Sequence, residues 1–343
     1  MSEDYQTSIR LANKRFGEIV SDGFRLFTKT WPTLILPFAA IFIFSLVLKV
    51  FLFSDISWQI NSMSSTINSI LDRIYTDPNS ITEADLNVMM QYLINSLGVL
   101  ILQSIYGAIF TILIMYLVSN YLLKKYLGSE TRFGEEVKNS LNKWLLLVLL
   151  ILGLGIPLGS MLLFIPGLLI FGFYIFSVYT SHLSNEKPFK EARSLSKHAF
   201  WRIIGLIILV SLLTGVINFI YQLILDFTLP YNPLWEAPST RNYGMLILYQ
   251  IVSSIVSIIF APLFISLLTP LFACQKAKKD YGLTKVYTQI PSETSYEQSY
   301  QEPSYQKSPV SPDSGLYCPF CGKFMKRKLK FCPSCGESLE FDI

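Results

Sequence analysis

Residues 144–183 read WLLLVLLILGLGIPLGSMLLFIPGLLIFGFYIFSVYTSHL, about forty positions without an Asp, Glu, Lys or Arg. One helix needs about 20 apolar residues to cross the roughly 30 Å hydrocarbon core of a bilayer, so this run is long enough to cross twice. The turn is expected near Ile165-Pro166-Gly167, because a turn at Pro157 would leave the first crossing too short. Pro157 then kinks that first helix, and Gly153, Gly155 and Gly159 let a neighbour approach closely. A polar segment follows abruptly, Asn185-Glu186-Lys187-Pro188-Phe189-Lys190-Glu191-Ala192-Arg193-Ser194. After Trp201-Arg202 the chain turns apolar again.

The bulk composition points the same way. Only 15% of the 343 residues are charged, against about a quarter in a soluble domain, and 51% are hydrophobic. Two His in the whole chain argue against imidazole-based catalysis. Some thirty largely polar residues precede the first apolar run, so the first span reads as an uncleaved anchor rather than a signal peptide.

Taken in order, residues 1–12 read as disordered. Phe16, Ile19, Val20, Gly23, Phe24 and Phe27 then form a helical stripe, with Glu18, Asp22, Arg25 and Lys29 largely off it. Such a helix, ending at a span, is expected to lie in the membrane interface. The membrane domain covers 13–275, with spans at 31–53, 97–123, 144–165, 167–183, 203–225 and 245–273. Lys49 sits near the far end of the first span and is expected to snorkel to the surface. Residues 54–96 are polar enough to leave the bilayer. Ile56, Ile60, Met63, Ile67, Ile70, Leu71 and Ile74 keep helical spacing, and Asp77-Pro78-Asn79 breaks it. Ser80 and Glu83 fit a capping box opening the next helix. The segment is therefore expected to be a helical hairpin packed as a cap over the bundle. Pro262 and Pro270 are expected to kink the last span.

Lys and Arg are distributed unevenly. Arg10, Lys14, Arg15, Arg25, Lys29, Lys124, Lys125, Arg132, Lys138, Lys143, Lys187, Lys190, Arg193, Lys197, Arg202, Lys276, Lys278 and Lys279 fall on one side of the six spans, and Arg73 and Arg241 on the other. Positive charge marks the cytoplasmic side, so both termini are expected there, in a cell membrane. The outer loops lack N-x-Ser/Thr acceptor sites, which fits a prokaryotic cell.

The inner segments share a pattern. Phe16-Gly17-Glu18 reaches Trp31 after fifteen residues, Phe133-Gly134-Glu135 reaches Trp144 after eleven, and Phe189-Lys190-Glu191 reaches Trp201 after twelve. Each Trp has a basic residue near it, and each opens a pair of spans. The fold class expected is an all-α integral membrane bundle of three helix-plus-two-span repeats, followed by a small β zinc ribbon. Repeats of this sort occur in transporters without proving transport.

Ile165-Pro166-Gly167, the aromatic-rich span after it, Phe189-Lys190-Glu191-Ala192-Arg193-Ser194 and Phe200-Trp201-Arg202 together resemble the membrane domain of some glycerophosphodiester phosphodiesterases and its stand-alone relatives. The resemblance is best over 130–275. In that family the phosphodiesterase activity resides in a separate soluble barrel, to which nothing in this sequence corresponds. The resemblance therefore implies a membrane domain without that activity.

After the last span the composition changes. Residues 276–315 are rich in Ser, Tyr, Gln and Pro and read as a disordered linker, unable to bury a core. About 35 such residues reach roughly 30–35 Å. Four of the five Cys then fall within the last 26 residues, as Cys318-Pro319-Phe320-Cys321-Gly322 and Cys332-Pro333-Ser334-Cys335-Gly336. Two Cys separated by two residues can both face one tetrahedral ion, and four thiolates form the closed shell of structural Zn²⁺. Residues 316–343 resemble the zinc-ribbon family, and iron would accept the same ligands. So small a module has almost no core, so the metal is expected to supply its folding energy. Lys323, Lys326, Arg327, Lys328 and Lys330 make a basic face between the knuckles. That face suits a cytosolic protein partner or the anionic inner leaflet better than nucleic acid.

The sequence offers no nucleophile–base set and no carboxylate cluster, so an enzyme is not expected. The leading expectation is an integral membrane protein whose tethered ribbon recruits or senses a partner at the bilayer. The alternative is a transporter or lipid-handling protein regulated by the ribbon. Charged solutes need paired ionisable groups at mid-membrane, and here Lys49 and Asp226 lie near span ends while Gln103, Asn218, Gln222 and Gln250 are uncharged. Lipids and apolar solutes remain open to this alternative.

Overall fold

The computed structural model describes residues 10–77, 80–162, 164–183, 187–228 and 236–280, together with the paired backbone of Leu316–Tyr317 and Phe324–Met325. Helix α1 runs Phe16–Thr76 and α2 runs Glu83–Tyr126. A short helix α3, Phe133–Ser140, leads to α4, Trp144–Met161, and α5, Ile165–Leu183. A second short helix, α6, Pro188–Lys197, leads to α7, Phe200–Thr228. The last pair is α8, Tyr243–Ser253, and α9, Ile255–Asp280. Six of these helices are long and apolar enough to cross a membrane, as expected of a multi-pass membrane protein.

Helix α1 is one continuous helix of 61 residues. The sequence led us to expect an interfacial helix separate from the first span and a hairpin folded over the bundle. Neither break exists. The change from polar to apolar side chains alters what solvates the helix, not its backbone preference, and even Pro32, at the first crossing point, does not end it. The helix continues through Pro32 and Pro37 and ends where Asp77 caps it. Helix α2 starts with a reciprocal cap in which the Thr82 hydroxyl accepts from the Asp85 N–H and the Asp85 carboxylate accepts from the Thr82 N–H. The sequence had placed this box at Ser80 and Glu83. Ser80 instead donates to the Asp77 carbonyl within the turn. Arg73 of α1 pairs with Asp85 of α2 across the hairpin tip.

Helix α4 ends at Met161 and α5 starts at Ile165, so the turn falls just before the expected site, with Phe164 at φ 63° and Pro166 in the first turn of α5. The small residues act within this one chain. A Cβ on Gly159 would meet the Gly167 nitrogen at 2.8 Å, and one on Gly153 would meet the Ile109 side chain at 2.9 Å. Residues Leu149–Leu154 form a π-helical stretch ahead of Pro157, a widened turn that absorbs the proline's missing donor.

The core sits toward the end of the bundle that carries the termini. There α9 is buried on every side, including Leu263, Ile265, Leu267, Leu268, Leu271 and Phe272. Helix α1 crosses α9 so closely that a Cβ on Gly23 would lie 2.7 Å from the Leu267 Cα. Phe272 stacks on Tyr179 of α5 at 4.5 Å, and the Tyr179 hydroxyl lies 2.9 Å from Thr269 Oγ1. Residues 10–12, expected to be disordered, are helical, and the Cys274 thiol donates to the carbonyl of buried Ala12. The end of α9 also runs past the expected linker boundary at 276, because Lys276 pairs with both Asp280 and Glu191. Pro262 and Pro270 lie inside α9 without ending it. The interruption falls instead at Ser254, and α7 satisfies the carbonyls exposed there: Tyr221 donates to Val252 and Gln222 to Ser253.

One carboxylate holds each of the three polar segments that carry the Phe-x-Glu pattern. Asp22 of α1 pairs with Lys14 and accepts from Tyr126. Glu136 of α3 accepts from Lys124 and Asn120, both at 2.7 Å. Glu191 of α6 accepts from Lys276 at 2.8 Å. The aligned Glu18 and Glu135 do other work: Glu18 caps the backbone of Arg15 and Glu135 meets exposed Arg132. The three Trp differ as well. Trp31 donates to the Ile259 carbonyl, Trp144 lies beneath the Lys143 ammonium, and Trp201 is exposed.

The C-terminal unit is described only by its strand pair. Leu316–Tyr317 (β1) pairs antiparallel with Phe324–Met325 (β2) in the register Leu316↔Met325 and Tyr317↔Phe324.

Candidate binding cavity

Toward the hairpin end the bundle opens into a pocket that borders the core at Phe38, Ile112 and Met115, with Lys49, Gly107 and Thr111 exposed on its rim. A cavity of about 570 Å³ lies between α1, α2, α5, α7, α8 and α9. Its walls carry a gradient that repeats on three sides. On α1, Lys49 and Ser45 lie toward the hairpin and Phe42 and Phe38 toward the termini. On α2, which runs the opposite way, Gln103 lies toward the hairpin and Phe110 and Met115 toward the termini. Along α8 and α9 the order is Gln250, Ser254, Ser257, Ala261 and Phe264. Helices of opposite direction thus present amides, hydroxyls and one ammonium at the same level, and mainly aromatic and aliphatic side chains below it, interrupted by the hydroxyls of Thr111 and Ser211. Ile207 and Val210 of α7 and Phe171 of α5 extend the apolar part.

Packing keeps the hollow open. The Tyr106 hydroxyl donates to the Ser45 carbonyl at 2.6 Å, tying α2 to α1 at the cavity wall. Phe53, Tyr106 and Phe110 form a chain of ring contacts at 5.7 and 4.9 Å. Gly107 sits on the cavity side of α2, and a Cβ placed on it would meet no atom within 4 Å.

Two smaller spaces adjoin the polar end. One of about 160 Å³ shares Lys49, Gln103 and Gln250 with the large cavity. Another of about 550 Å³ reaches up the hairpin and is lined by Ser57, Asn61, Tyr92, Ser96, Gln103 and Ser104 among others. Gln103 borders all three and donates to Ser57 at 3.3 Å. No Asp or Glu lines any of them.

A buried latch stands beside this site. The Arg241 guanidinium, its side chain fully buried, donates to Asp55 Oδ1 at 3.0 Å and twice to the Glu236 carbonyl. Tyr243 donates to the same Asp55 oxygen and stacks on Phe51 at 5.9 Å. Leu246 packs with Leu46 and Val50 beneath it. The latch fixes residues 236–243 against α1 next to the polar end of the cavity. From the sequence alone Arg241 is only an outer-loop charge.

The metal ligands expected at Cys318, Cys321, Cys332 and Cys335, and the basic residues Lys323, Lys326, Arg327, Lys328 and Lys330, lie outside the described residues. Among the described residues no group of three or more His, Cys, Asp or Glu could hold a metal. The fifth cysteine, Cys274, is buried in the core. Of the polar membrane residues noted in the sequence, the structure brings Lys49, Gln103 and Gln250 together at the cavity and assigns Gln222 to the α8–α9 break. The chain matches no family model, no curated protein and no solved structure.

Proposed function

We propose that this chain is a non-enzymatic, lipid-handling membrane protein that takes an amphipathic molecule into its helical bundle, with both termini in the cytoplasm of a prokaryotic cell. A C-terminal zinc ribbon serves as its regulatory or recruiting module. One observation supports the bundle's part in this: a cavity of about 570 Å³ whose walls pass from polar to apolar in the same direction on three helical faces. Pockets of roughly 300–1,000 Å³ hold one small ligand, and a polar end with an apolar body matches an amphiphile lying parallel to the helices.

The test is native mass spectrometry of the purified protein, comparing the wild type with Gly107→Trp. The wild type is expected to carry co-purified lipid-like adducts, and the variant, with a bulky ring on the cavity wall, to carry fewer. Identical adducts on the two folded proteins would remove the cavity from consideration.

The ribbon reading rests on the two Cys-x-x-Cys pairs and their following glycines. The strand register supports it, because β1 and β2 flank the first pair in the chain, as the arms of a knuckle would. Cys318, Cys321, Cys332 and Cys335 would hold one Zn²⁺, and the basic residues between the pairs would face a protein partner or anionic headgroups. Elemental analysis tests this directly. One zinc per chain, lost in Cys332→Ser, is expected, whereas iron or no metal would overturn it.

A further inference from the structure

We infer that the part of α2 standing outside the bilayer is a docking face for a second copy of this chain, the two copies pairing in parallel through Leu86, Met90, Leu93, Leu97 and Leu100. The inference is independent of the cavity and of what fills it. It starts from the exposure of this row: each of the five side chains is between 47% and 60% exposed.

Two lengths place the row in water and not in lipid. From Lys124 to Gln103 α2 rises about 31 Å at 1.5 Å per residue, which accounts for the whole of the roughly 30 Å hydrocarbon core. Gln103 donates to Ser57, just past the Asp55 carboxylate that pairs with Arg241, so ionised groups mark the same level on α1. Leu86 stands a further 25 Å out, at about 1.5 Å per residue. Helix α1 runs beside it without a break to Thr76, and Arg73 ties the two helices together at the tip, so the arm projects instead of lying back on the membrane surface. A contiguous apolar row held in water marks an interaction site.

Spacing and charge identify the occupant. Leu86, Leu93 and Leu100 fall on successive d positions of a heptad, with Met90 and Leu97 on the a positions between them. Another row on the same helix, Tyr92, Ser96, Val99 and Gln103, faces Ser57 and Asn61 of α1, so the exposed row is left for a helix of another chain. Leu at d suits a two-stranded parallel pair. Residues 86–123 contain no Asp, Glu, Lys or Arg, so every e and g position is uncharged. Two identical faces therefore meet without like-charge repulsion, and no charge code selects a different partner. Copies inserted the same way in one membrane hold their arms parallel and at one height, which sets Leu93 against Leu93. The area decides how strong the pair is. A fully exposed Leu or Met side chain offers roughly 100 Å², so five half-exposed ones on each copy bury about 500 Å² in the pair. That is less than the roughly 1,200–2,000 Å² of a stable complex in solution, so the pair is weak when free and forms where one bilayer holds both arms at high effective concentration.

The experiment is disulfide scanning of the full-length protein in isolated membranes. Cys replaces, one at a time, Leu86, Met90, Leu93, Leu97 and Leu100 on the row, and Gln91 and Asn95 off it. Mild oxidation is followed by non-reducing electrophoresis, with the wild type and its own five Cys setting the background. A band at twice the chain mass is expected at the five row positions and not at Gln91 or Asn95. Met90→Glu added to Leu97→Cys should weaken the pairing by at least roughly tenfold, the equivalent of one lost side-chain burial, whereas Lys at Asn95 (Asn95→Lys) should leave it unchanged. These side chains are exposed in the single chain, so the variants should melt with the wild type, which confirms that they fold. Linking as efficient at Gln91 and Asn95 as at Leu93, or no linking above background, would overturn the inference. A link at the row positions to a protein of another mass would give the face to a different partner and overturn the assignment to a second copy.

Discussion

The contrast between a tight and a hollow half can be tested with one substitution made twice. Gly23 of α1 and Gly107 of α2 both lie inside long helices, where Gly→Ala alone contributes up to about 1 kcal/mol of stability. At Gly107 the added methyl meets nothing within 4 Å, so that gain should appear nearly whole. At Gly23 the methyl would lie 2.7 Å from the Leu267 Cα, 3.0 Å from its Cγ and 3.2 Å from its Cβ. The closest of these is backbone and cannot rotate away, so α1 and α9 must separate. Overpacking of this kind costs about 1–3 kcal/mol, and a backbone contact belongs at the upper end. Set against the helical gain, Gly23→Ala should destabilise by about 2 kcal/mol, whereas Gly107→Ala should stabilise by up to about 1 kcal/mol. For a membrane bundle of this size each kcal/mol moves the midpoint by about 2–4 °C. Thermal unfolding in one detergent at one scan rate reads both, with Gly107→Ala melting higher than wild type and Gly23→Ala lower. Shifts of the same sign in the two variants would refute the packing argument.

Other consequences follow from the polar contacts. Asp55→Ala leaves buried Arg241 without its carboxylate; because Asp55 is half exposed, the cost should be about 1–3 kcal/mol, below that of a fully buried pair. A double-mutant cycle with Arg241→Met should recover part of it, and simple additivity would show the pair to be idle. Burial works against the charge of Lys14, but its hydrogen bonds to Asp22 and Tyr126 win and raise its pKa above the usual 10.5. A raised pKa means the contribution is fully present below 10.5 and is lost as pH rises through the folded value. The stability gap between wild type and Lys14→Met should therefore hold steady up to about pH 10 and narrow above it, and a gap unchanged to about pH 11.5 would contradict the pairing. Tyr179→Phe removes one buried hydroxyl from Thr269 and the Ile265 carbonyl and should cost about 0.5–1.5 kcal/mol in denaturant unfolding. No loss there would mean that the hydroxyl's burial offsets its bonds.

The helices were legible because their signals are local. The uncharged run from Trp144 to Leu183 is indeed two helices, with Pro166 in the first turn of the second. The helix after Phe53 ends at Thr76, beside the expected break at Asp77-Pro78. Boundaries failed where two readings fit the same rule. Ser80/Glu83 and Thr82/Asp85 both match a capping box, and only the turn geometry selects the second. The separation of α1 into pieces failed because hydropathy marks a change of solvent and not a helix end. The cavity was not legible as a site. Lys49, Gln103 and Gln250 are scattered along the chain, and only the antiparallel alignment of α1 with α2 and α8 brings them to one level. A signal did exist: measured from the hairpin end of each span, these polar residues lie at similar depth. The inner carboxylates show the opposite case. The Phe-x-Glu pattern suggested equivalent glutamates, but tertiary contacts engage Asp22 and Glu136 in place of Glu18 and Glu135, and of the three aligned residues only Glu191.

Helix α1, at 61 residues and 1.5 Å per residue, is a rod of about 90 Å. No loop interrupts it between the hairpin tip at Thr76 and the segment beside Lys14. A force that tilts the tip therefore carries Phe38 to Lys49 with it. Compliance is concentrated at Pro32 and Pro37, where backbone hydrogen bonds are missing. Whatever grips the distal arm acts mechanically on the cavity wall.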